Sequence, residues 1–346
     1  MTPVKASRPS SKTAHHDVIT IGNAIVDVLG HAEEVFVVKH DLAKGAMTLI
    51  DEARAEALYA LMGTGVEMSG GSAANTAAGI ASLGGRAAYI GKVRNDQLGA
   101  VFRHDLTGLG VHFATPAGTS GPATARCLIF VTPDAQRTMN TYLGACIHLG
   151  PNDVDEELIA GSKIVYLEGY LWDKPEAKAA FIKAAEIAHQ HGRQVALTLS
   201  DSFCVNRHRE SFRELVSNHI DILFANEHEI AALYEVTHFD DSLQYVRRDC
   251  AVAALTRSEK GSVIVAGDEV HVIDAEKISP IVDTTGAGDL YASGFLFGMT
   301  HENDWQTCGR LGGLAAAEVI SHYGARPIIP LHDFIRGKLH FSKHAI

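Results

Sequence analysis

The chain has 346 residues, 46% of them hydrophobic and 21% charged, with a formal net charge of −11 at neutral pH. This composition describes an ordinary soluble globular protein with a sizeable core, built as one large domain or a domain with a smaller appendage. The acidic balance argues against nucleic acid and anionic membrane as main partners, and no apolar run is long enough to span a bilayer.

Residues 1–16 are polar, carry scattered Lys and Arg and lack an apolar centre, which predicts a disordered tail rather than a signal peptide. The five cysteines are widely spaced and form no CxxC pair, as expected of reduced core thiols in a cytoplasmic protein. Nineteen histidines fall into no metal-ligand spacing.

Residues 17–22 read as a buried first strand ending at Gly22. Asn23 and Asp27 follow, just beyond its carboxyl end, where ligands sit in open parallel α/β sheets. An ionised Asp27 could accept hydrogen bonds from two adjacent sugar hydroxyls, or it could be a turn aspartate bonding its own backbone. Residues 28–50 mix charges with short β-type runs at 35–38 and 47–50, and are expected to leave the main sheet as an arm. A helix is predicted over 51–63.

Ser69-Gly70-Gly71-Ser72-Ala73-Ala74-Asn75 is a glycine-rich turn opening into a small-residue helix. The amides of Gly70 and Gly71 are open to close approach, and Asn75 offers a donor and an acceptor. Tight helix–sheet packing would explain the same run. A strand over 87–93 and an amphipathic helix to Leu109 follow. Residues 125–131 and 137–143 then form a predicted hairpin, which together with the earlier arm makes a small accessory sheet, a lid drawn from about 28–50 and 118–143. Beyond Gly150, strands and helices alternate regularly, implying a doubly wound, mostly parallel α/β sheet of Rossmann-like type.

Within that alternation, Asn226 and Glu229 stand three apart at a strand end, where they could orient Mg²⁺ through its waters or simply begin a helix. Thr256 and Gly261 follow the next strand and are candidates for nucleotide phosphate or ribose. The central stretch is Asp283-Thr284-Thr285-Gly286-Ala287-Gly288-Asp289, a second glycine turn running into a helix. Its unpaired amides and the helix dipole make a place for phosphate. A carboxylate at Asp289 would repel a merely bound anion. It fits a base that deprotonates a hydroxyl attacking phosphorus, although a first-turn aspartate favoured by the dipole is the plainer alternative. No Walker A sequence occurs, and Tyr291 occupies the third glycine position of a would-be GxGxxG.

The two glycine turns, in this order and with Asn226-x-x-Glu229 between them, resemble the signature regions of the PfkB/ribokinase family of sugar and nucleoside kinases, over about residues 17–330. The resemblance implies a ribokinase-like α/β domain (17–335) with a β-sheet lid. It also implies transfer of the ATP γ-phosphoryl group to a primary alcohol with Mg²⁺. By this likeness Asp289 is the catalytic base, and the amides of Gly286, Ala287 and Gly288 form the anion hole. Asn23, Asp27, Gly70, Gly71 and Asn75 would bind the acceptor, and Asn226, Thr256, Gly261 and Thr285 would lie along ATP. Asn226 and Glu229 would serve Mg²⁺, while Asp283 and Thr285 resemble positions near a monovalent-cation (K⁺) site. The lid is also a candidate surface for a homodimer.

Within the family, residues 22–27, the arm through 39–42 and Ser72 in place of the usual lysine look more like adenosine kinases than ribokinase. Leu171 stands where the human-type enzyme stacks a phenylalanine on the purine, which leaves Tyr170 or Trp172 to take that part.

Overall fold

A computed structural model describes residues 14–134 and 136–338. The expected tail lies outside the described residues as far as residue 13, and His16 already belongs to the first strand. In chain order the strands are β1 (His16–Ile21), β2 (Ile25–His31), β3 (Met47–Leu49), β4 (Gly65–Gly70), β5 (Ala87–Ile90), β6 (Ala125–Val131) and β7 (Arg137–Tyr142). Beyond them come β8 (Ser162–Glu168), β9 (Gln194–Thr198), β10 (Ile222–Asn226), β11 (Val252–Thr256), β12 (Ser262–Ala266) and β13 (Glu269–Ile273).

Among the described residues these strands form two sheets. The larger has the order β13-β12-β11-β10-β9-β8-β1-β5, and the smaller β3-β7-β6-β2-β4. The larger sheet is parallel from β5 to β11, and β12 and β13 then turn back antiparallel. This is the mixed α/β, ribokinase-like arrangement expected. The period of two along each strand divides the apolar side chains between two cores. Ile19, Ile21, Val165 and Leu197 pack with Phe181 and Phe212 on one face. Val18, Tyr89, Ile164 and Phe224 pack with Ala77, Ile80 and Phe295 on the other. Burial on both faces is why the strands read as continuous apolar runs.

The smaller sheet takes more of the chain than the sequence suggests. It includes β2, which carries Asp27, and the edge strand β4, whose first half is exposed and which has glycine at both ends. The run 35–38, expected to be β-type, instead lies in the helix Glu34–Lys39. Its ends carry Glu34 and Lys39, charges that suit the two poles of a helix, and only Val37 is buried.

Two features of this fold position the site. β1 lies between β5 and β8, so the strand order reverses at its carboxyl end, where Asn23 and Glu168 meet. On one face, the helices Ser72–Ser82 and Ala287–Thr300 run in close contact, with Gly79 set where a side chain would collide with Ser293. Small residues in both helices are thus a packing requirement. No described helix is long and apolar enough to cross a membrane. The five cysteines are free and buried.

The opposite, amino-terminal edge of the sheet is held by charge. Asp17 receives Lys163 at 2.8 Å and Arg86 at 3.2 Å. Burial alone would raise the Asp17 carboxyl, but hydrogen bonds from Lys163 and Arg86 outweigh it and hold the group at about 2. A depressed carboxyl adds stability above its unfolded pKa and loses it as pH falls through the folded value. Asp17→Asn should therefore cost about 2 kcal/mol at pH 7 and almost nothing near pH 2. Denaturant unfolding at the two pH values checks this, and an equal cost at both would refute it.

Candidate active site

Asp289 stands in the first turn of the helix Ala287–Thr300, facing the start of the helix Ser72–Ser82. Ser72 Oγ donates to its Oδ1 at 2.6 Å and Asn75 Nδ2 to its Oδ2 at 2.9 Å. Thr76 Oγ1 reaches the Asp289 carbonyl at 3.3 Å. No salt bridge engages the carboxylate among the described residues. Burial pushes it above its ordinary value, while Ser72, Asn75 and then the Arg326 charge pull the other way. The result is an oriented carboxylate that is a stronger base than a free aspartate.

The turn before Asp289 has the geometry of an anion site. Gly286 is the N-cap, with φ 78°, and the first intrahelical bond comes only at Leu290, whose N–H meets the Gly286 carbonyl at 2.9 Å. The Ala287 N–H closes a turn on Thr284 at 3.2 Å. The Gly288 and Asp289 amides precede the helical ladder and point out of its positive end.

Asp27, on β2, approaches the same place. A side chain at Gly70 would strike its carboxylate, and no donor among the described residues bonds its oxygens. Burial raises its pKa to about 6 against the lowering charges of Arg326 and Arg137, and Asp289 raises it further. Gly71, with φ 91°, begins the Ser72–Ser82 helix where any side chain would collide with the Asn23 carbonyl, so only glycine fits. Asn23 donates its Nδ2 to Glu168 at 2.7 Å, and its buried Oδ1 has no partner. Asn75 likewise donates its Nδ2 to Asp289 and leaves a buried Oδ1 unpaired. Asn23, Asp27, Gly70, Gly71, Asn75 and Asp289 are thus gathered around one spot rich in unspent acceptors.

Farther along the carboxyl edge, Asn226 and Thr256 are register partners at the ends of β10 and β11. Asn226 and Glu229 form a reciprocal helix cap. Asn226 Oδ1 accepts the His228 and Glu229 N–H groups, both at 2.9 Å, and Glu229 accepts Asn226 Nδ2 at 2.6 Å and its N–H at 2.9 Å. Burial pushes Glu229 up to about 7, and the charges of Asp201 and Asp289 bear on it as well. Among the described residues no three His, Cys, Asp or Glu side chains are placed to hold a metal directly. One carboxylate with lone pairs to spare fits Mg²⁺ held through waters and phosphates, the ion's usual habit. Gly261, φ 80°, shapes the turn into β12.

Asp283 accepts Thr285 N at 3.0 Å and Thr285 Oγ1 at 2.6 Å through one oxygen, and Gly324 N at 3.0 Å through the other. That second oxygen also pairs with Arg137 of β7, so a guanidinium from the smaller sheet already stands at the carboxylate considered for K⁺.

Trp172 is removed from the aromatic candidates. It is 4% exposed, packs on Phe181 and Phe212 and donates Nε1 to Ser211, so its indole belongs to the core. Leu171 is buried too. Tyr170, by contrast, is 43% exposed. Phe203, 79% exposed, opens the helix after β9.

Three residues that the sequence did not single out join the site. Glu168 ends β8 and accepts Asn23 N at 3.2 Å, Asn23 Nδ2 at 2.7 Å and Ala73 N at 2.8 Å, with burial raising it to about 7. An acid at a strand's carboxyl end was the available signal. Arg137 and Arg326 reach in from a hairpin and from a loop after a helix, where local pattern carries none.

Residues 36–331 match the family described as pfkB family carbohydrate kinase. The chain belongs to the pfkB family. An adenosine kinase from Sinorhizobium meliloti is 54% identical, with a TM-score of 0.86 over 94% of this chain and 100% of that one. A probable sugar kinase from Rhizobium etli is 50% identical, also with a TM-score of 0.86, over 94% of this chain and 98% of that one. The adenosine kinase of Saccharomyces cerevisiae is 24% identical across 89% of this chain and 95% of its own length. As a pfkB kinase the chain is an ATP-dependent phosphotransferase acting on small molecules.

Asp27 can accept hydrogen bonds through both oxygens only in its ionised form, and acceptor binding through it would need that form. Acceptor kcat/KM should therefore fall as pH drops through about 6, while ATP affinity holds. Pre-steady-state ATP binding and steady-state acceptor kinetics from pH 5 to 8 measure the two separately. Parallel loss of both would take Asp27 out of acceptor binding.

Proposed function

We propose that the chain transfers the γ-phosphoryl group of ATP to the 5′-hydroxyl of a nucleoside, adenosine foremost, giving AMP. The observation that carries this reading is the set of unspent acceptors: the free Asp27 carboxylate and the orphaned amide oxygens of Asn23 and Asn75. Such a set is complementary to the hydroxyls of a ribose. The exposed rings of Tyr170 and Phe203, at the ends of β8 and β9, supply apolar faces for a base. The name carried by the Sinorhizobium meliloti relative supports the same choice.

In this mechanism Asp289, oriented by Ser72 and Asn75, accepts the proton of the attacking hydroxyl. The amides of Gly286 and Gly288 hold charge developing on the phosphoryl oxygens, whereas that of Ala287, also expected there, is engaged by the Thr284 carbonyl. Asn226, Thr256, Gly261 and Thr285 lie along ATP, while Asp283, engaged by Arg137, Thr285 and Gly324, does not fit the K⁺ site expected of it. Asn226 and Glu229 would hold Mg²⁺ through waters, and the ion would supply neutralisation of phosphate charge. The smaller sheet acts as a lid excluding water from the acceptor.

A sugar kinase is the second reading, favoured by the name of the Rhizobium etli relative. A phosphotransfer screen with ATP, Mg²⁺ and adenosine, inosine, guanosine, ribose and fructose separates the two. Adenosine should show the highest kcat/KM, and a higher value for ribose or fructose would overturn the nucleoside assignment. Asp289→Asn should lower turnover by about 10²–10⁴ with ATP affinity nearly unchanged, and near-normal turnover would remove it as the base. Met47, Leu49 and Val66 are exposed on the edge strands of the smaller sheet, where a homodimer would form. Sedimentation as a monomer at micromolar concentration would dismiss that pairing.

A further inference from the structure

Arg326 lies in the loop after the helix Trp305–Val319, far in sequence from both glycine turns, yet its guanidinium contacts the acceptor turn at two points. Nη1 donates to the Ala74 carbonyl at 2.9 Å, in the first turn of the helix Ser72–Ser82. Nη2 donates to the Ser69 carbonyl at 2.8 Å and to Ser69 Oγ at 3.1 Å, near the end of β4. The guanidinium therefore spans the Gly70-Gly71 turn from one side to the other. Ser69 is held on its far side by Asp105, which accepts its N–H at 2.8 Å and its hydroxyl at 2.5 Å.

The same short segment also touches the phosphate turn. The Gly324 N–H donates to Asp283, and Ala325 packs so close to Gly286 that a side chain there would strike it. Residues 324–326 consequently join three parts of the site: Asp283, the Gly286 N-cap and the acceptor turn.

We infer that Arg326 is a positioning residue for phosphoryl transfer, bracing the acceptor turn against the phosphate turn and placing a fixed positive charge beside Asp27 and Asp289. This inference rests on the kinase reading and deepens it, whichever acceptor the enzyme takes. The guanidinium fork is suited to spanning two carbonyls, and a lysine, with its point charge, is not. The charge has a second consequence. Arg326 lowers the pKa of both Asp27 and Asp289. Arg137 also lowers Asp27, whereas Asp289 raises Asp27, Glu168 and Glu229, and Ser72 and Asn75 bond Asp289 directly. Removing the cation raises both carboxyls, so each stays protonated to a higher pH.

The test compares Arg326→Lys and Arg326→Met in the full chain, with thermal melts to establish folding and the best acceptor from the screen as substrate. Arg326→Lys should raise acceptor KM about tenfold, leave ATP KM within twofold and keep the acid limb of kcat/KM in place. Arg326→Met should raise acceptor KM similarly and move that limb up by about one pH unit. Amide hydrogen exchange over residues 66–76 should quicken in both variants. An unmoved limb in the methionine variant, or equal rises in ATP and acceptor KM, would overturn the inference. If the methionine variant does not fold, the lysine variant decides, since an unchanged acceptor KM there is equally fatal. Failure of adenosine in the screen would remove the nucleoside assignment but leave this comparison intact with another acceptor, and exchange over residues 66–76 needs no turnover at all.

Discussion

The grip of Ser72 and Asn75 on the Asp289 carboxylate is the contact on which the site depends. It exists because two helices begin at the same place, each opened by a glycine, and run against one another through small side chains. A carboxylate at a helix start is favoured by the dipole in any protein. Here it is also oriented, carries no ion pair among the described residues, and stands beside amides that have not yet entered the helical ladder. That combination is what a general base requires and what a merely helix-stabilising aspartate does not.

Around that contact, buried polar groups form a chain rather than isolated bonds. Glu168 ties the end of β1 to the start of the Ser72–Ser82 helix through Asn23 and Ala73. Arg326 ties that helix to β4, and the residues before it reach Asp283 and Gly286. Such networks are costly when incomplete, and a few members here do keep unsatisfied atoms: Asn23 Oδ1, Asn75 Oδ1 and Arg326 Nε. Two of the three are acceptors, in keeping with a ligand that arrives as a donor of hydrogen bonds.

Most of the larger sheet was legible in the sequence because its strands are apolar on both faces and alternate with amphipathic helices. The two glycine turns were legible because their chemistry is local. The smaller sheet was harder to read. β4 is an exposed edge strand with glycine at both ends, and the run 35–38 satisfies the residue preferences of a strand while its end charges suit a helix. Trp172 looked available beside Leu171, yet which way a ring turns after a strand depends on packing against Phe181 and Phe212, which no window of sequence contains. Arg137 and Arg326 were invisible for the same reason. Their partners lie 146 and 252 residues away, so only the assembled fold pairs them.

Asp27 belongs to the smaller sheet, whereas Asp289 belongs to the helices of the main body, and the chain passes from one to the other within a few residues at 22–24 and again at 70–71. The separation of the Asp27 and Asp289 carboxylates is therefore set by the angle between sheet and body as much as by any bond length. A substitution that stiffens or slackens those short crossings would alter the separation of the two carboxylates without touching either of them.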